Sequence, residues 1–177
     1  MPGTVEDLLA ERAIRDVLHR YCRGVDRMDR ELVRSCYHPD ALDSHGSFTG
    51  TVEQYLDWLW RLLGRYRMTM HLLGNVLVEF HPDTAGLARV ETYGTAHHRS
   101  DDPRPHLNLV TGFCFVDRFE RRDGAWRVAR RLAVTEWSRH DDPDHWWPVP
   151  PHLPAGRRDR TDPVYAGWDE LGTVTTG

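Results

Sequence analysis

The sequence predicts an α+β domain in which helices come first and strands follow. Three observations carry this reading. Apolar residues recur every three or four positions up to about residue 65. From residue 69 onward the pattern changes to four long runs rich in Val, Thr, Leu, Phe and Tyr, separated by turn residues. The two kinds of segment do not alternate, so a βαβ repeat with a parallel sheet is not expected.

Residues 5 to about 28 read as an amphipathic helix. Thr4, three residues before Asp7, is a suitable N-cap. Ile14, Val17, Leu18, Tyr21 and Val25 form one apolar stripe, and Arg12, Arg15, Asp16, Arg20, Arg23 and Arg27 occupy the other side. A short helix over 30–36 follows at once. Residues 38–50 (HPDALDSHGSFTG) hold Pro39 and two glycines, and read as a loop with a brief extended piece. Thr51 is placed to cap a third helix that runs to about Arg65, with Val52, Tyr55, Leu56, Leu59, Leu62 and Leu63 on its apolar face. Strands are expected at 69–80, 87–99, 107–121 and 126–137, divided by PDTAG, DDPRP and RDG. They read as antiparallel hairpins in succession. The domain is assigned to residues 1–140. Residues 141–177 form a Pro- and Trp-rich arm. Trp146, Trp147, Val149 and Tyr165 argue that the arm packs on the domain or on a neighbouring subunit, because clustered exposed tryptophans are unfavourable in water.

Composition narrows the function classes. A chain of 177 residues fits one domain with room for a core and a cavity. The net charge is −4 and no basic run is sustained, so nucleic acid has no electrostatic footprint. Lysine is absent, which removes Schiff-base chemistry through a lysine amine. Cys22, Cys36 and Cys114 are odd in number and lack CxxC spacing; neither a disulfide framework nor a structural zinc site is expected. The first residues, MPGTVEDLLAERAIRD, are charged throughout, so neither a signal peptide nor a membrane span is expected and a cytoplasmic protein is the default.

A few residues stand out as carriers of chemistry. Leu18, Cys22 and Asp26 lie four apart on a row bordering the apolar stripe, so Asp26 points inward and needs a partner. Taken alone, it could bond a loop backbone. His71 lies early in the first long strand, on the face of Leu73, Asn75 and Leu77. Taken alone, it reads as a satisfied core histidine. Paired with Asp26, it becomes a base whose orientation the carboxylate fixes. Only one of His97 and His98 can face inward, and periodicity does not choose between them. Tyr21 lies on the apolar stripe and needs a buried partner for its hydroxyl. His45, in DSHGS, reads as a loop residue that could lie near the pocket mouth, and no role is assigned to it. Asp26, His71 and His97 could converge on a cation, but without HxxxH or HxH spacing no metal is expected.

These residues resemble a known family. AIRDVLHRYCRGVDRMDRELVRSCYHPDAL, then MHLLGNVLVEF, then GFCFVDRFERRDGAWRVARR, together spanning residues 7–140, are similar to the SnoaL-like branch of the nuclear-transport-factor-2-like superfamily. The resemblance implies a cone-shaped α+β barrel with three N-terminal helices packed in a curved, mostly antiparallel sheet around a deep pocket. Scytalone dehydratase, hexachlorocyclohexane dehydrochlorinase and bile acid dehydratase carry an Asp at the end of helix one that partners a His on the first long strand, and those positions fall on Asp26 and His71. A tyrosine or lysine five residues before the Asp falls on Tyr21, and a second histidine falls on His97. The Ser and Asn of scytalone dehydratase fall on Phe113 and Phe115, which cannot hydrogen-bond, so that substrate is not expected here.

The implied function is a cofactor-free, dehydratase-like lyase of bacterial secondary metabolism. Its catalytic residues are Asp26, His71, Tyr21 and His97. Tyr55, Trp58 and Phe113 would hold a small hydrophobic substrate, up to polycyclic in size. An isomerase or polyketide-type cyclase would use the same dyad, and a non-catalytic binding domain would use none of it. A homodimer or homotrimer is implied by resemblance alone.

Overall fold

The computed structural model describes residues 3–100 and 108–171. Three helices, α1 (Val5–Asp26), α2 (Arg30–Ser35) and α3 (Val52–Leu63), pack against one curved sheet. Its strands are β1 (Tyr37–His45), β2 (Phe48–Thr51), β3 (Met68–Phe80), β4 (Leu87–Arg99), β5 (Leu109–Arg122) and β6 (Ala125–His140). They lie in the order β2-β1-β6-β5-β4-β3. Every pairing is antiparallel except that of β1 with β6.

Local chemistry sets the element ends. Thr4 and Asp7 close a capping box on α1, and Thr51 and Gln54 close one on α3. At the end of α1, Met28 takes a left-handed conformation (φ 54°), and Asp29 N–H donates back to Gly24 C=O at 2.8 Å. A Cβ on Gly24 would stand 2.7 Å from Val33 Cγ2, so glycine lets α2 fold back against α1. Asp123 and Gly124 both have positive φ (51° and 77°), the turn that a tight β5–β6 hairpin requires. The turn expected at DDPRP lies outside the described residues.

Residues 38–50 depart from expectation. They form β1 and the β2 hairpin, not a loop. Pairing with the distant β6 supplies hydrogen bonds that local turn signals cannot foretell. Pro39, which lacks an N–H, sits where the register shifts between Tyr37 and Leu42.

The core lies between the sheet's concave face and the apolar stripes of α1 and α3. Ile14, Val17, Leu18, Leu56, Phe115 and Phe119 are at most 2% exposed. Beyond β6 the arm returns to the chain's own domain. Asp162 accepts from the N–H groups of Arg157 and Val164 and pairs with Arg27 at 2.9 Å. Tyr165 donates to Asp29, and Arg158 donates to the carbonyls of Leu63 and Tyr66 at the end of α3. Trp146 lies beneath the Arg99 guanidinium. Trp147 and Val149, expected to pack, are 87% and 62% exposed, so ion pairs and carbonyl bonds hold the arm more than tryptophan burial does.

Candidate active site

The last turn of α1 brings Asp26, 8% exposed, against β3. His71 meets it twice. Its backbone N–H donates to Asp26 Oδ2 at 2.9 Å, and its ring Nδ1 lies 2.7 Å from Oδ1. One residue therefore occupies both carboxylate oxygens. An ionised carboxylate only accepts, so Nδ1 carries the proton and Nε2 is left free.

His71 lines a cavity of about 320 Å³ between the sheet, α1 and α3. Its walls include Tyr21, Tyr55, Trp58, Phe113 and Phe115, and are mainly apolar. The Tyr21 and Tyr55 hydroxyls stand 2.5 Å apart. Burial raises the pKa of both phenols, which keeps them neutral donors. Gly94 is needed here, because a Cβ would lie 2.6 Å from Phe113 Cζ and 2.9 Å from the Leu72 carbonyl oxygen.

The second histidine of the cavity is His98, not His97. Strand parity gives the reason. Ala96, 2% exposed, and His98 share the inner face of β4, while His97 shares the outer face with Tyr93 and Thr95. His98 stands edge-on to His71 with ring centroids 6.0 Å apart, and its Nδ1 is 3.3 Å from the Leu109 carbonyl. Burial, with the neighbouring His71 second, pushes its pKa down to about 4. His98 is therefore a neutral group at ordinary pH and has no proton to give as an imidazolium.

Tyr21, Tyr55, Trp58, His71 and Phe113 are thus brought to one cavity, Asp26 stands behind His71, and His97 is excluded. Two polar features, the buried Arg131 and the carboxylate of Asp43 behind His45, went unread in the sequence. Arg131, fully buried, is held by Asp117 through two bonds of 2.8 and 2.6 Å, and its guanidinium lies 4.3 Å from the Tyr21 ring and 4.0 Å from that of Phe115. In RVARRLAV nothing separates Arg131 from Arg130; the register shift between Arg118 and Phe119 helps decide which of them turns inward. His45 and Asp43 occupy one face of β1, a strand that the local signals masked. Among the described residues, no group of three His, Cys, Asp or Glu is placed to hold a metal ion.

Comparison with known proteins agrees with this architecture. The SnoaL-like domain matches residues 6–132. An uncharacterized protein of Mycobacterium tuberculosis is 26% identical over 132 residues, covering 73% of this chain and 87% of the relative. Among solved structures, the hexachlorocyclohexane dehydrochlorinase LinA-type3 of Novosphingobium barchaimii superposes with a TM-score of 0.71 at 20% identity, covering 80% of this chain and 97% of that one. A protein of Novosphingobium aromaticivorans described as a candidate scytalone dehydratase gives 0.67 at 23%, covering 80% and 97%. At these identities the two structures bear on the fold alone.

Proposed function

The chain belongs to the SnoaL-like family of the nuclear-transport-factor-2-like superfamily, and from that premise we propose a cofactor-free lyase that removes water, or a similar leaving group, from a small neutral hydrophobic substrate. The observation that carries the reading is the doubly bonded Asp26–His71 pair at the wall of a partly open, mostly apolar cavity.

His71 Nε2 abstracts a proton from carbon beside a carbonyl, with Asp26 holding the ring and balancing the imidazolium that forms. The Tyr21–Tyr55 hydroxyl pair donates to the oxygen on which negative charge develops. Exclusion of water by Trp58, Phe113 and Phe115 strengthens both interactions. The cavity volume is at the lower end of ligand pockets, roughly 300–1,000 Å³, and suits a one- or two-ring substrate. Arg131 is saturated by Asp117, which favours neutral substrates over anions. The apolar outer sheet face, with Leu72, Tyr93, Val134 and Trp137 between 37% and 64% exposed, supports pairing of copies as a homodimer or homotrimer.

The test uses 3-hydroxy-1-tetralone, a neutral bicyclic β-hydroxy ketone that yields fluorescent 1-naphthol on dehydration. In D2O the protein is expected to exchange the C2 proton and to release 1-naphthol. His71→Gln and Asp26→Asn should each lower both rates by about 10²-fold or more, with unchanged circular dichroism. A wild-type protein that does neither above background rejects the lyase reading in favour of a binding domain. Exchange without water loss would favour the isomerase or cyclase reading, and full activity in His71→Gln removes that residue from the mechanism.

A further inference from the structure

The mechanism above has a base and an oxyanion site but no donor for the departing hydroxyl. Of the two protons on the Tyr21–Tyr55 pair, one bridges the hydroxyls and the other serves the oxyanion, and His98 is neutral. Another imidazole lines the same cavity. His45 ends β1 at the β1–β2 turn, stacked on Tyr55 with centroids 5.4 Å apart and 5.7 Å from Phe115. His71 approaches the Phe113 ring at 6.2 Å, and Phe113 and Phe115 pack at 4.4 Å. The two imidazoles thus flank the Phe113–Phe115 pair.

Behind His45 is Asp43, 1% exposed. Its Oδ2 accepts the Tyr37 hydroxyl at 2.8 Å. Among the described residues its Oδ1 accepts no hydrogen bond, nor does His45 Nδ1 make one, and these two atoms face each other at 3.6 Å. A small ring rotation would close that gap into a charge-assisted bond. The wider surroundings are also fixed. Tyr37 receives Arg131 Nη1 at 3.2 Å, and Arg131 is clasped by Asp117. The buried cluster therefore holds two carboxylates and one guanidinium. The carboxylate beside His45 is not matched by the guanidinium.

We propose that His45, backed by Asp43, is a second catalytic imidazole that delivers the proton to the leaving group, opposite the His71–Asp26 base. The proposal rests on the lyase reading. His71 removes the α proton, and the C–H electron pair becomes the enolate double bond. As the enolate collapses, the bond from the β carbon to oxygen breaks and its electrons stay on oxygen. The proton from His45 Nε2 completes a water molecule. The cycle ends with His71 protonated and His45 neutral, and one proton passed through solvent restores both. Asp43 acts through His45 and is a positioning residue.

The test separates the two half-reactions of 3-hydroxy-1-tetralone. His45→Gln is expected to lower 1-naphthol release about 100-fold while C2 exchange persists, because the exchange needs only His71. Asp43→Asn should show the same split to a smaller degree. In His45→Ala, added imidazole should restore dehydration in a concentration-dependent way. Equal loss of both rates, or no loss of either, overturns the role of His45. Failure of imidazole to rescue His45→Ala while exchange is intact also overturns it. A wild-type protein inert in both readouts sinks the lyase reading and this inference together, a result distinct from either pattern.

Discussion

Asp26 and His71 show how little freedom a useful base is left. A ring nitrogen and the backbone N–H of one residue reach the two oxygens of one carboxylate, so the imidazole can neither swing nor change tautomer without breaking a bond. His98 is set differently. Its ring is buried beside His71, and its pKa falls from 6.5 to about 4. The unfolded chain binds a proton at His98 at higher pH than the folded chain does. Stability attributable to its neutral form is therefore present above pH 6.5 and withdrawn as pH falls toward 4, by as much as roughly 3 kcal/mol. Urea titrations between pH 4.5 and 7.5 are expected to show that slope. His98→Phe should flatten it, and an unchanged slope would assign the acid sensitivity to other groups.

At the scale of elements, the notable unit is the arm. Residues 157–165 clamp the ends of α1 and α3, the elements that position Asp26 and the cavity wall. Asp162, 3% exposed, organises that clamp by accepting two backbone N–H groups and pairing with Arg27. Asp162→Ala removes the acceptor of both N–H groups and the partner of Arg27, and because the donors are only part-buried water can replace part of what is lost. The arm should then detach before the domain unfolds. Limited proteolysis is expected to cut residues 141–165 in the variant much faster than in the wild type, at nearly the same melting temperature of the remaining domain. Equal cutting rates would show that other contacts hold the arm.

At the scale of the molecule, the Asp117–Arg131 pair ties β5 to β6 and, through Tyr37, to β1 beneath the cavity. Both side chains are fully buried, so removing one strands the other charge in the core. Arg131→Met is expected to cost about 3–5 kcal/mol in urea unfolding, and Asp117→Leu with Arg131→Met clearly less than the sum of the two single changes. Additive losses would show that the pair is not a coupled unit.

Much of this was legible in the chain. The apolar stripes of α1 and α3, the Thr4 and Thr51 caps, the DG turn and the inward row of Asp26 depend on neighbours within four residues, and local spacing reports them. The inward turn of Asp26 and the strand position of His71 follow from local spacing, whereas their meeting was implied by the family resemblance. What the sequence could not decide depended on contacts across the sheet. β1 exists because it pairs with β6, some ninety residues away. That pairing puts Asp43 and His45 at the cavity. The inner face of β4 passes to His98 and not His97 because Ala96 lies in the core. Parity says that one of two adjacent strand residues faces inward, but only the packed sheet says which.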